Sequence, residues 1–150
     1  MFTKNIIILL TKSDKRLLNF GILLLRLTLG GILFVAGAGK VLGWFGGFGL
    51  TVTLGYYAKS GISTPFAYLS CYTEFIGGFL LAVGLLTRPA AFAVMINMLV
   101  AFIVTLPGGF IMGGASYPFS FLISAIIILL SGPLAYSLDY ILLKPGELKK

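Results

Sequence analysis

Residues 66–86 read FAYLSCYTEFIGGFLLAVGLL, an apolar run of membrane-spanning length that contains one carboxylate, Glu74. About 20 apolar residues, at about 1.5 Å each, cross a hydrocarbon core about 30 Å thick. Glu74 would therefore lie about 12 Å from the start of the run, well below the lipid headgroups. An ionisable group at that depth faces the interior of a helix bundle, where it pairs with a cation or keeps its proton. It is by default a candidate functional residue.

The composition places the chain among integral membrane proteins. Of its 150 residues, 59% are hydrophobic and only 10% are charged, and its mean hydropathy is +1.07. Soluble domains carry charged residues at about a quarter of their positions. A net charge of +7 would suit a nucleic-acid-binding protein, but the cations lie at the chain ends and beside apolar runs, where they set orientation in a membrane. We therefore exclude a nucleic-acid partner and expect contact with a lipid bilayer.

The chain has very few side chains that could bind a metal. It contains no histidine and one cysteine, Cys71, which excludes bis-histidine haem, cysteine-ligated iron–sulfur clusters and Cys/His zinc sites within a single chain. We expect no metal and no covalently attached cofactor. Any redox chemistry would then use an organic cofactor such as a quinone, or would take place in a partner protein.

Four apolar segments, limited by glycine, proline and charged residues, predict an all-α fold, an integral membrane four-helix bundle. The helices are expected at about 20–43, 66–86, 89–106 and 117–141, within a membrane domain at 20–143. Residues 1–19 are expected to form a cytoplasmic or interfacial segment, and residues 144–150 a basic cytoplasmic tail.

Two segments allow alternatives. Gly132 and Pro133 interrupt the last apolar segment, so the helix either continues, kinked, to Ile141, or ends before a separate surface helix capped by Ser137. The connector at 44–65 is rich in glycine and aromatic residues. It would form either an aromatic belt at the membrane interface or a shallow re-entrant lid over the bundle.

The distribution of lysine and arginine predicts the orientation in the membrane. In a four-span bundle one side receives Lys59, with Lys40 at its boundary. The other side receives Lys4, Lys12, Lys15, Arg16, Arg88, Lys144, Lys149 and Lys150. Because cytoplasmic flanks of membrane helices are enriched in these residues, both termini are expected to be cytoplasmic.

The charged residues of the apolar runs can be paired from helix geometry. At about 100° per residue, Arg26, Gly37 and Lys40 fall within about 80° of one another on helix one, so this face should meet protein. Side chains lean toward the N-terminus of their helix, which brings Lys40 toward Glu74 and Arg26 toward Asp139. We expect these two ion pairs, with Arg26 to Glu74 as the competing assignment.

Three segments of the chain resemble the DoxX family of bacterial four-helix membrane proteins, which includes the DoxD-type subunits of thiosulfate:quinone oxidoreductase. They are RLTLGGILFVAGAGKVLG at 26–43, EFIGGFLLAVGLLTRPAA at 74–91 and GPLAYSLD at 132–139. The resemblance covers residues 20–142, although 44–65 match it poorly. The matching residues are Arg26, Gly30, Gly37, Lys40, Glu74, Gly77, Gly78, Arg88, Gly132, Pro133 and Asp139.

The resemblance implies a multi-pass protein of the bacterial cytoplasmic membrane that is linked to redox or sulfur metabolism and acts with soluble oxidoreductases, sulfurtransferases or quinones. We hypothesise a redox-associated subunit in which Arg26, Lys40, Glu74 and Asn97 line a cavity for a quinone head or a small anion. Asp139, paired with Arg26, belongs to the same binding set. The cations would polarise an oxygen of the ligand, and Glu74 would exchange a proton.

Two other functions fit the same sequence. The chain could be a non-catalytic membrane anchor or scaffold that recruits soluble oxidoreductases through its basic cytoplasmic face. A transporter for a small solute is less favoured, because so short a chain would need to form a homo-oligomer.

Overall fold

A computed structural model describes residues 14–142, and this part of the chain contains helices and no strands, which confirms the predicted all-α membrane fold. The helices are α1 (Lys15–Leu42), α2 (Gly49–Lys59), α3 (Thr64–Val83), α4 (Thr87–Thr105), α5 (Ser116–Ser131) and α6 (Leu138–Leu142). Short 3-10 turns follow α1 at Trp44–Gly46 and α4 at Leu106–Gly108. Most of the predicted N-terminal segment and all of the basic tail at 144–150 lie outside the described residues.

Three helices are long and apolar enough to cross a membrane. They are α1, with 28 residues, α3, with 20, and α4 with its 3-10 turn, with 22. Their outer faces carry exposed apolar side chains such as Leu27, Ile96 and Ile103, which suit contact with lipid tails. The apolar helix α5 has 16 residues, about 24 Å at about 1.5 Å each. The chain is thus a membrane protein, and the fourth span stays a prediction that depends on α5.

The prediction of one helix over 117–141 is wrong, because this segment forms two helices. Helix α5 ends at Ser131, and Gly132 takes a positive φ of 71°. A second helix, α6, begins at Leu138, and the Ser137 hydroxyl accepts a hydrogen bond from the backbone N–H of Tyr140 at 3.1 Å. Of the two alternatives left by the sequence, the separate helix capped by Ser137 is the one that forms.

Helices α1 and α3 pack backbone against backbone. A Cβ added at Gly30 would lie 2.5 Å from the backbone nitrogen of Ala82 and 2.7 Å from the carbonyl oxygen of Gly78. A Cβ at Gly37 would overlap the backbone of Phe75. Residues Arg26, Gly30, Leu33 and Gly37 are all buried, which confirms that this face of α1 meets protein. Without side chains at the two glycines, the α1 backbone can approach the part of α3 that carries Glu74.

An apolar core holds the remaining helices together. It is formed where α4 and α5 pack on each other and on the glycine-rich contact of α1 with α3. Its buried members are Leu29, Leu33, Leu81, Ala90, Ala91, Val94, Met98, Leu122, Ala125 and Ile128. The charged residues described below lie toward the two ends of this core.

The substitution Gly30→Ala should lower the midpoint of thermal unfolding in detergent, because its methyl group would meet the α3 backbone and overpacking costs about 1–3 kcal/mol. Gly31→Ala is the matched control. A Cβ at Gly31 has no atom within 4 Å, and alanine favours a helix interior over glycine by about 1 kcal/mol. Circular dichroism melts of both variants check the prediction, and equal midpoints would contradict the close approach of α1 to α3.

Candidate functional site

An ion pair joins α1 to α3 inside the bundle. The Lys40 ammonium group donates to both oxygens of Glu74, with Nζ 2.7 Å from Oε1 and 2.6 Å from Oε2. The Glu74 side chain is 7% exposed and the Lys40 side chain 30% exposed, so the carboxylate is the more buried partner. The predicted pair is confirmed, and the competing pair of Arg26 with Glu74 does not form.

Two local features of the sequence position this pair. The first is Gly37, one turn before Lys40, where the α1 backbone lies against the backbone of Glu74 and Phe75. The second is a π-helical stretch, Thr73–Gly77, that interrupts α3 and contains Glu74. Single π-helical turns are rare and occur frequently at functional sites. The hydropathy pattern gave no signal for this turn.

The connector between α1 and α3 supplies a further contact. The Tyr57 hydroxyl oxygen lies 3.2 Å from Lys40 Nζ, and the centre of its ring lies 5.8 Å from the same nitrogen. This places α2, a helix of 11 residues, beside the ion pair. Sequence reasoning missed Tyr57, because nothing in the aromatic connector distinguishes it from Tyr56.

An open groove lies beside Lys40, between α1 and the chain that follows it. Its volume is about 230 Å³, and we refer to it as the Lys40 groove. Val35 and Ala36 line one wall, and Trp44, Phe45 and Phe48 line the other. Lys40 is the one charged residue of the lining. The groove thus combines an apolar, aromatic surface with a single ammonium group.

Arg26 uses its charge differently from Lys40. Its guanidinium group, in a residue only 1% exposed, donates to three backbone carbonyl oxygens. Nε lies 3.2 Å from Leu81 O, Nη1 lies 3.1 Å from Pro133 O, and Nη2 lies 3.0 Å from Tyr136 O. The predicted direct pair of Arg26 with Asp139 is therefore wrong, because backbone oxygens of α3 and of the connection between α5 and α6 accept its hydrogen bonds instead.

Asp139 binds the backbone between α3 and α4, close to the Leu81 carbonyl group that Arg26 binds. Its two carboxylate oxygens each accept a backbone hydrogen bond at 2.8 Å, from the N–H groups of Leu86 and Thr87 at the start of α4. Its own N–H donates to Gly84 O at 2.9 Å. We call this arrangement the clasp: Arg26, Asp139 and the backbone that they bind at 81–87 and 132–139.

The clasp holds unusual backbone in place. Leu86 has a φ of 48°, in the left-handed region that costs a side chain about 1–3 kcal/mol. Gly84 also has a positive φ, and a Cβ there would overlap the Arg26 guanidinium group. These contacts make the clasp a structural centre that ties α6 to the turn between α3 and α4.

The single cavity predicted from Arg26, Lys40, Glu74 and Asn97 does not form. Arg26 and Lys40 are about 21 Å apart along α1 at about 1.5 Å per residue, and they bind different partners. Asn97 lies on α4, half-buried, with its side-chain nitrogen buried and without a hydrogen-bond partner, and it does not line the Lys40 groove. The structure therefore leaves Lys40, Glu74 and Tyr57 as the candidate site.

The site places the ammonium group of Lys40 at the edge of the groove and bonds it to the carboxylate of Glu74. Lys40 Nζ also lies within hydrogen-bond distance of the Tyr57 hydroxyl group, so one ammonium group links α1, α2 and α3. Across residues 14–142, no cluster of three or more His, Cys, Asp or Glu side chains could hold a metal ion.

Comparison with known proteins agrees with a membrane role. Residues 21–107 match the family model described as DoxX. A protein of Bacillus subtilis (strain 168), described as "Putative oxidoreductase CatD", is 31% identical over 121 residues, which cover 81% of this chain and 86% of the relative. No solved structure matches the chain.

The substitution Glu74→Gln should destabilise the protein less than Glu74→Leu. An amide still accepts a hydrogen bond from Lys40, whereas leucine leaves a partly buried ammonium group without its partner, and breaking a buried pair costs about 3–5 kcal/mol. Unfolding in detergent measures the difference. In a Lys40→Met background the advantage of glutamine should disappear, and an advantage that persisted there would show that Lys40 is not its cause.

Arg26→Lys should also destabilise the protein, although it keeps the charge. A single ammonium group cannot reproduce three guanidinium bonds to separate carbonyls, and each bond to a charged group is worth about 1.5–3 kcal/mol. The control is Arg16→Lys, since Arg16 is exposed at the start of α1. Hydrogen exchange should become faster at the Leu86 and Thr87 amides in Arg26→Lys only; unchanged exchange there would argue against the clasp.

Proposed function

Because the chain belongs to the DoxX family, we propose that it is a redox-associated membrane subunit that binds the head of a quinone in the Lys40 groove. The observation that carries this proposal is the buried pair of Lys40 with Glu74 beside that groove. A buried ion pair often adds little stability over apolar residues of similar volume, so its position within an apolar helix supports a role in binding or proton exchange. The description of the Bacillus relative as an oxidoreductase supports the redox class.

We place the protein in the bacterial cytoplasmic membrane with four spans, α5 being the fourth. The clasp ties α6, which follows α5, to the turn between α3 and α4. Helix α5 starts after the opposite end of α4, so its two ends lie at opposite ends of the bundle. Lys15, Arg16 and Arg88 share the clasp end and Lys59 lies at the other, which supports cytoplasmic termini by the positive-inside rule.

The residues of the groove fit the chemistry of a quinone. A bound quinone supplies carbonyl oxygens and accepts electrons and protons. Lys40 would donate a hydrogen bond to one of those oxygens, Glu74 would hold a proton nearby, and Trp44 and Phe48 would pack against the apolar body. The electrons would come from a soluble oxidoreductase or sulfurtransferase partner, because the chain has no histidine and one cysteine.

A second candidate function is a non-catalytic anchor for soluble oxidoreductases. The exposed cations Lys15, Arg16 and Arg88 at the clasp end support it, because they offer a basic surface to an acidic partner. In this role the Lys40–Glu74 pair would serve only to hold α1 against α3.

The small molecules that remain with the mildly solubilised protein test the proposal. Mass spectrometry and ultraviolet spectra should detect a stoichiometric quinone in the wild type and at least about tenfold less in Glu74→Gln, a change of about 1.4 kcal/mol in binding. Lys59→Gln, an exposed change on α2, is the matched control and should retain the quinone. Bulk lipid alone in all three samples would contradict the proposal and favour the anchor.

A further inference from the structure

We propose that the Lys40 groove binds a long-chain carboxylate and that Glu74 takes up one proton when it does. This inference goes beyond the redox role, because the ligand carries no electrons and its binding requires no quinone. In this proposal the carboxylate of the ligand replaces Glu74 as the partner of Lys40.

The lining of the groove selects an anion with an apolar body. Lys40 is its one charged residue, no carboxylate lines it, and most of its surface comes from aromatic, apolar and glycine residues. The Lys40 side chain keeps 30% of its surface exposed although both Glu74 oxygens are within hydrogen-bond distance. An ammonium group in this position can attract a second anion, one that enters from the groove.

The size of the groove favours a small head on a single chain. Its volume of about 230 Å³ is below the range of about 300–1,000 Å³ that holds a drug-sized ligand. A carboxylate and its first carbons would fit, and the rest of the chain would lie along the exposed side chains of Val35, Phe48 and Val52. A glycerophosphate head with two chains is a poorer match in volume.

One cation cannot neutralise two carboxylates at this depth. With a ligand carboxylate on Lys40, Glu74 would remain as a buried anion beside a second anion, and like charges that share a site do not both stay ionised. Two titratable groups are near Glu74: Lys40 on α1, which bonds to it, and Cys71, one turn earlier on α3. Tyr57 on α2 contacts Lys40. The facing part of α4, residues 90–101, has no titratable residue.

The exchange balances in charge and in protons. Lys40 stays an ammonium group and transfers its hydrogen bonds from Glu74 to the ligand. One proton from water forms an O–H bond on the Glu74 carboxylate. A carboxylate and a proton therefore enter together, and the net charge of the site does not change.

The test is calorimetric titration of the full-length protein in dodecyl maltoside micelles with palmitate, after subtraction of empty micelles. At pH values where micellar palmitate is ionised, we expect one palmitate per chain, with a Kd that rises about tenfold per pH unit because one proton is taken up. The head of hexadecanesulfonate stays ionised at all of these pH values, and its Kd should rise with pH in the same way. In Glu74→Gln the Kd for hexadecanesulfonate should no longer depend on pH.

A second pair of variants keeps the proposal testable if the charge variants fold poorly. Ala36→Leu fills the groove, keeps both charged residues of the ion pair, and should weaken palmitate binding at least about tenfold. Ala93→Leu adds the same side chain on the exposed face of α4 and should leave binding unchanged.

Four results would overturn the inference: equal binding of hexadecanol and palmitate, unchanged binding by Ala36→Leu, a pH dependence for hexadecanesulfonate that persists in Glu74→Gln, or displacement of palmitate by an equal amount of phosphatidylglycerol. The quinone assay is independent of these results. Palmitate binding without a co-purified quinone would refute the redox proposal alone, and the reverse would refute this inference alone.

Discussion

An ionised side chain inside an apolar bundle must find its partners within the protein, and the structure depends on how this constraint is met at Glu74. The carboxylate is matched by Lys40, which in turn requires the α1 backbone to come within contact of the α3 backbone. Gly30 and Gly37 make that approach possible. The glycines and the charges of these two helices therefore act together, since a larger residue at the contact would separate the pair.

In the clasp, the buried charges are paired with backbone groups. Arg26 donates to backbone carbonyl oxygens of α3 and of the chain after α5, while the Asp139 carboxylate accepts from N–H groups at the start of α4. Each charged side chain thus bonds to backbone groups that have no water to bond to inside a membrane. This use stabilises turns of left-handed backbone at Leu86 and Gly84, and it explains why the two residues need no direct contact.

The two charged regions differ in what they can do. In the clasp, the three hydrogen bonds of the Arg26 guanidinium group and the two of the Asp139 carboxylate all join protein backbone. The Lys40–Glu74 pair instead borders an open groove, where Lys40 remains partly exposed to whatever enters. The proposed exchange of one anion for another at this pair would suit a membrane protein that binds amphiphilic molecules.

Hydropathy, the lean of helix side chains and the positions of glycine were sufficient to determine the membrane class, the buried face of α1 and the pair of Lys40 with Glu74, because each follows from one helix or from two antiparallel neighbours. Tertiary structure alone decided the rest. The partners of Arg26 are carbonyl oxygens, which every residue has, so no sequence pattern marks them. No hydropathy pattern marks the π-helical turn at Glu74, the contact of Tyr57 with Lys40, or the groove that α1 forms with the chain after it. Asn97 was misplaced because the face that α4 buries is set by its packing on α5 and α3.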